Sequence, residues 1–324
     1  MLPVGIDDIR AARQRVSAVA VETPLLPWRV DFPGNNLVWL KAECLQPTGS
    51  FKIRGARNAI ASLSQDERQR GVITYSSGNH GQAVAFAARV AGINAVVVMP
   101  GDAVSFKVEA TKRWGAAVAF AGNRSQDRQE MALDLAQKHG YTVIPPFDDR
   151  RIIAGQGTAG LEIAEQLPDV EAVLVPVGGG GLLSGVATAI KSLKPDVRII
   201  GVEPEGAADV RDSLAAGEPT RWEIIDTVAD GLRTSQVGDL NFEAIRELVD
   251  LVVTVTDAEI LETVGLLAKE AKLIAEPSGA VAPAAALFGR TGLSDARLAA
   301  IVSGGNIDPA QLAACVQTGV TSAS

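Results

Sequence analysis

Cysteine and histidine are nearly absent, with two of each in 324 residues. Cys44 and Cys315 cannot build a disulfide framework or a thiolate metal cluster, and His80 and His139 exclude a histidine-rich metal centre. Aromatic residues make up only 4% of the chain, and 30 basic against 38 acidic residues leave a net charge of −8. Nucleic acid and anionic bilayers select basic surfaces, so neither is an expected partner. No apolar run is long enough to span a membrane. Asp7, Asp8 and Arg10 stand where a secretory leader would need an apolar stretch, so a cytoplasmic, reducing setting is expected. Internal repeats, low-complexity tracts and heptads are also missing.

What is present is an ordinary globular composition, 47% hydrophobic and 21% charged, at a length that suggests two domains. Short β-branched runs alternate with longer helical segments. Strands are expected at 71–75, 95–99, 117–120 and 141–144, with helices at 82–91, 105–114 and 127–138 between them. A second series follows: helix 157–166, strand 173–177, helix 182–193, strands 197–202 and 251–255, helix 257–273 and strand 298–302. This alternation predicts an α/β fold of open parallel sheets, with helices on both faces. Pro145-Pro146 closes the first series. The expected division is a small α/β domain at 71–148, inserted into a large domain of 1–70 plus 149–324.

Ligands of such sheets bind beyond the carboxyl ends of the strands. Three loops rich in glycine or serine fall there: Ser76-Ser77-Gly78-Asn79-His80-Gly81, Gly178-Gly179-Gly180-Gly181 and Ser303-Gly304-Gly305-Asn306. The tetraglycine sits between a strand and a helix. Four residues without Cβ let backbone N–H groups close on an anion, and the helix N-terminus favours negative charge. A phosphate is the natural guest; the alternative is a turn that needs positive φ. Gly179-x-Gly181-x-x-x-Gly185, with Glu203 after the next strand, approaches a dinucleotide fingerprint but is one residue too long. A nicotinamide-dependent dehydrogenase is therefore the competing reading from another enzyme class. A binding protein with a dead site is the competing reading outside enzymes.

Lys52 lies between Phe51 and Ile53, with Gly49 and Gly55 nearby. Burial would lower its pKa and yield the neutral amine that Schiff-base chemistry requires. A solvated surface lysine is the plain alternative.

Ser50-Phe51-Lys52-Ile53-Arg54-Gly55-Ala56, the serine-rich loop, the tetraglycine and the Ser303 loop occur in one collinear order. Together they resemble the fold-type II pyridoxal-phosphate enzymes, in particular the threonine/serine dehydratase and serine racemase branch. Ile153-Ala-Gly-Gln-Gly-Thr158 and Asp230-Gly231 fit that branch too, and the resemblance runs from about residue 23 to 308. It implies a tryptophan-synthase-β-like fold and a homodimer or homotetramer.

The resemblance also implies roles. Lys52 would bond the cofactor aldehyde and later take the substrate Cα proton. Gly178, Gly179, Gly180, Gly181 and the backbone of Leu182 would hold the phosphate. Asn79 would face the ring hydroxyl, Phe51 would pack beside the ring, and Ser303 would face the pyridine nitrogen. Ser76, Ser77, Asn79 and His80 would surround the substrate carboxylate, and Arg128 would assist. A serine cap on the following helix is the simpler explanation of that loop. Ser77 is also where the racemases keep the proton donor opposite the lysine. Glu203, the Ala207 carbonyl and Asp209 match a site for Mg²⁺ or a similar cation, as oxygen ligands would suit.

The reaction so implied is β-elimination from a small hydroxy amino acid such as threonine or serine, giving a 2-oxo acid and ammonia. Serine racemisation, or dehydration of 3-hydroxyaspartate or another β-hydroxy amino acid, is the alternative within the branch. Arg233 and Thr234, after Asp230-Gly231, fall where members of the branch vary near the substrate, and in the latter case Arg233 would pair with a second carboxylate. No appended regulatory domain, and hence no isoleucine-type feedback, is expected.

Overall fold

The computed structural model describes residues 2–318 except Ser77, Val104 and Asn123, so the two roles proposed for Ser77 lie outside the described residues. Among the described residues, ten strands form two sheets. They are β1 (Leu25–Trp28), β2 (Leu37–Lys41), β3 (Val72–Tyr75), β4 (Ala95–Pro100), β5 (Ala117–Ala121), β6 (Thr142–Val143), β7 (Ala172–Pro176), β8 (Arg198–Pro204), β9 (Leu251–Val255) and β10 (Arg297–Ile301). The larger sheet has the order β1-β2-β10-β7-β8-β9, and the smaller β5-β4-β3-β6. All pairings are parallel except the β1–β2 edge.

Both faces of each sheet are covered. Leu174 of β7 enters one apolar cluster, while Val173 and Val175 enter another on the opposite face. In the smaller sheet Val72 and Val97 face one cluster, and Ile73 and Val98 the other. Burial on two sides is why these strands read as continuous apolar runs. The mixed α/β architecture matches the expectation from sequence. No helix among the described residues is long and apolar enough to cross a membrane.

Some elements differ from the sequence reading, each for a physical reason. The β1–β2 hairpin was not anticipated; Pro27 and the link over 29–36 hide it, and its edge position tolerates the proline. The helix expected at 157–166 begins at Arg150 and runs to Gln166. Asp149 caps it by accepting from the Arg151 and Ile152 N–H groups. Glycines 155, 157 and 160 argue against a helix on propensity, yet all three are buried, and packing overrides the preference. The segment expected as one helix over 257–273 is Asp257–Leu266 followed by a π-turn at Leu267–Ala271. It stops at Lys272, whose φ is 58°.

The helix Lys52–Ala61 is pinned from below by a buried charge cluster. Arg54 bonds both oxygens of Glu43, at 2.8 Å each, and both oxygens of Glu162, at 2.6 and 2.7 Å. Lys41 adds a 2.6 Å bond to Glu162. Two cations and two carboxylates thus balance in the core, with all four side chains buried. That anchorage decides where the first residue of the helix, Lys52, points.

Candidate active site

The Lys52 side chain is half-buried, and its Nζ donates to the Pro146 carbonyl at 2.9 Å. Nζ also stands 5.1 Å from the centre of the Phe51 ring. No carboxylate pairs with it among the described residues. Burial therefore lowers the amine to about 8, so a substantial neutral fraction exists near pH 7.5.

The next residue, Phe147, reaches the tetraglycine. Its ring occupies the place where a Cβ on Gly179 would lie, and its carbonyl is 3.1 Å from where a Cβ on Gly181 would lie. Pro146-Phe147 thus joins the two parts of the site, touching Lys52 with one residue and the glycine run with the other. Gly180 has φ +92° and caps the helix Gly181–Leu193, a conformation that β-carbons resist. The Gly179 carbonyl is drawn away by Asn241 Nδ2 at 2.8 Å and Gly238 N at 3.2 Å. The first N–H groups of that helix have no intrahelical acceptor, which suits a phosphate. Leu182 lies in this first turn and is buried.

The Ser303 loop closes the other side. The Ser303 carbonyl accepts from Phe51 N at 3.1 Å, which sets it beside Lys52. Ser303 Oγ donates to the Ser278 carbonyl at 3.3 Å, so its remaining capacity is as an acceptor. Thr234, which with Arg233 falls where the resembled branch varies near the substrate, has a buried hydroxyl without a hydrogen-bond partner among the described residues. It lies beside Gly178, 3.5 Å from where a Cβ would stand. Arg233 turns away, donating to the Thr227 carbonyl at 2.9 and 2.5 Å.

The helix after the serine-rich loop starts at Asn79, three residues before its expected beginning, with Gly78 as its cap. Ser76 Oγ accepts from Gly78 N at 3.2 Å. The free N–H groups therefore belong to the loop itself. The His80 ring lies 3.1 Å from the Ile144 carbonyl through Nε2. A carbonyl only accepts, so Nε2 carries the proton and Nδ1 is a bare acceptor. Burial, helped by the charge of Lys52, lowers His80 to about 3. The ring is neutral and offers a carboxylate no charge; the backbone at this helix start is what remains to hold one. Arg128 stands in the first turn of the helix Ser125–His139, half-buried and near Asp102 and Asp127.

Glu203 and Asp209 are both buried. Glu203 accepts from Val210 N and Arg211 N at 2.9 Å each, capping the helix Asp209–Ala216 rather than meeting a ribose. This removes the main support for a dinucleotide. Burial raises Glu203 to about 8 and Asp209 to about 7. Neither oxygen of Asp209 has a hydrogen-bond partner among the described residues. Two costly carboxyls next to the buried Ala207 fit a hard cation. Among the described residues, no group of three or more metal-binding side chains is assembled, so a backbone carbonyl would be needed.

Fold and site together define a two-sheet α/β protein that sets an amine of lowered pKa beside a glycine-rich helix N-terminus. The family of pyridoxal-phosphate dependent enzymes matches residues 16–304. L-threonine ammonia-lyase of Thermotoga maritima is 46% identical over 286 residues, 88% of this chain and 71% of that protein. Serine racemase of Arabidopsis thaliana is 42% identical over 86% of this chain and 84% of its own length. The solved structure of maize serine racemase superposes with a TM-score of 0.91 at 37% identity, covering 98% of both chains. This chain belongs to the pyridoxal-phosphate dependent enzymes. The glycine cradle and the carboxylate-free Lys52 fit that cofactor.

Proposed function

We propose that this chain is an ammonia-lyase that removes water from threonine or serine and releases a 2-oxo acid and ammonia. The observation that carries the reading is Lys52: a partly buried amine, lowered to about 8, joined through Pro146-Phe147 to the tetraglycine. The relatives named above support the substrate class. When bound, pyridoxal phosphate supplies an electron sink for carbanion formation at Cα. Every other contribution comes from the chain. Lys52 holds the cofactor and, once neutral and released, accepts the Cα proton as general base. Gly178 to Gly181 and Leu182 grip the phosphate by their backbone. Phe51 flanks the ring, Asn79 donates to the ring hydroxyl, and Ser303 faces the ring nitrogen with a neutral hydroxyl that adds no charge. Substrate carboxylate sits at the helix start beside Ser76, Asn79 and His80; Ser77 and Arg128 are assigned to it by the family resemblance. Thr234 completes the pocket near Gly178.

Racemisation is a second activity of the same site. It is favoured by the serine racemase relatives and by Ser77, which the family resemblance places opposite the lysine. Glu203, the Ala207 carbonyl and Asp209 would hold Mg²⁺ or a similar cation. The protein works as a homodimer or homotetramer in the cytoplasm, where its two buried thiols stay reduced. The test is a product screen with L-threonine, L-serine, their D-forms and 3-hydroxyaspartate. It expects 2-oxo acid and ammonia in step, and inverted serine as a minor product. Borohydride should bleach the yellow protein and leave the cofactor on Lys52. A mutant Lys52→Ala that still released ammonia at the full rate would defeat the reading.

A further inference from the structure

The side chain of Asn79 is held at both ends. Asn306 Nδ2 donates to the Thr48 carbonyl at 2.9 Å and to Asn79 Oδ1 at 2.7 Å. Asn79 Nδ2 donates to Glu276 Oε1 at 2.5 Å. These bonds form one directed chain, and its direction follows from its first member. The Thr48 carbonyl can only accept, so the Asn306 group facing it must be the NH₂. The Asn79 atom facing that NH₂ must then be oxygen. The Asn79 NH₂ is left to face Glu276 with one hydrogen and the site with the other.

The surroundings leave room for this arrangement only because two loop positions lack side chains. A Cβ at Gly49 would overlap the Asn306 carboxamide, and a Cβ at Gly304 would overlap Glu276 Oε1 and come within 3.2 Å of Asn79 Nδ2. Glu276 is itself anchored, its N–H donating to the Gly304 carbonyl at 3.0 Å. It is buried, 3% exposed, and burial with Asp230 nearby raises its carboxyl to about 8. In the neutral form it still accepts from Asn79 and adds no negative charge beside the ring.

We propose that Glu276 and Asn306 are positioning residues that lock the Asn79 carboxamide with an N–H, rather than its oxygen, toward the ring hydroxyl of the cofactor. The proposal rests on the reading that Asn79 faces that hydroxyl. The lock also ties the helix Asn79–Ala91, which packs on the smaller sheet, to three segments around the larger one: Thr48, Glu276 and Asn306.

The test uses the cofactor-loaded protein and reads the visible absorption band of the bound cofactor, with the melting temperature as a folding control. Asn79→Ala should shift the band, since a ring contact is lost. Glu276→Met and Asn306→Ala should shift it in the same direction and lower kcat roughly 10- to 100-fold with KM changed far less, as expected for a misplaced contact. Glu276→Gln keeps an acceptor oxygen and should keep the wild-type band. Should Glu276→Met fail to fold, Asn306→Ala tests the other end of the same chain. The proposal is overturned if Asn79→Ala shifts the band while Asn306→Ala and Glu276→Met leave it unmoved, or if Glu276→Gln shifts it as far as Glu276→Met. An unmoved band in Asn79→Ala overturns the reading of Asn79 beneath it, and the lock with it.

Discussion

Lys52 and Arg54 lie two residues apart on one helix, and the protein treats their charges in opposite ways. Arg54 is fully buried among Glu43 and Glu162. Burial alone would drive its pKa down, but the two carboxylates outweigh that cost and hold it above its ordinary value. Lys52 meets a carbonyl and an aromatic ring and no carboxylate among the described residues. Nothing offsets its burial, and it falls to about 8. A buried cation kept as a cation needs anions, whereas a reactive amine needs their absence. The helix therefore carries an anchor and a reagent, separated by a difference in partners.

The largest effect that would break this contrast is on activity. Lys52→Ala should lower ammonia release by about 10³-fold, the range for loss of a general base, while the melting temperature moves by only a few degrees. Arg54→Met should do the reverse. It leaves Glu43 buried without its bonded cation and Glu162 with Lys41 alone, at a cost of about 3–5 kcal/mol, read as a large fall in the denaturation midpoint or as failure to fold. If Lys52→Ala proved as destabilising as Arg54→Met, the division of labour would be wrong.

A smaller effect concerns pH. Cofactor-free protein should capture pyridoxal phosphate faster as pH rises through about 8, because the free amine of Lys52 is the capturing form. A midpoint near the ordinary lysine value would contradict the burial argument. Stability has the same sign. Between about pH 8 and 10.4 the unfolded chain keeps a proton that folded Lys52 has lost, so this residue's penalty shrinks as pH rises.

Smaller still, Mg²⁺ should raise the melting temperature by a few degrees, and Asp209→Asn should abolish the rise. An unchanged melting curve with and without the ion would remove the cation from the site. Least of all should change with thiol reagents. Cys44 is pushed up to about 12, mainly by burial, so native protein near pH 8 should resist alkylation at this residue.

The sheets were legible because their strands are apolar on both faces and separated by helical segments of ordinary length. The three ligand loops were legible because glycine and serine cluster at strand ends. The beginning of the Arg150–Gln166 helix was not, since its glycines disguise a helix that only close packing permits. Nor was the state of His80 legible, because its tautomer depends on a carbonyl 64 residues away. Glu276 carries no motif that marks it, and it becomes visible only through its burial and its partner.

By itself the order of residues determined the alternation of strands and helices and the presence of a lysine, an anion loop and a serine-rich loop, since each is a local matter of periodicity and side-chain size. Tertiary structure alone decided that Lys52 gives up its proton readily, that Arg54 does not, and which atom of Asn79 faces the site. Protonation and hydrogen-bond direction depend on what lies across space, and those neighbours come from segments far apart along the chain.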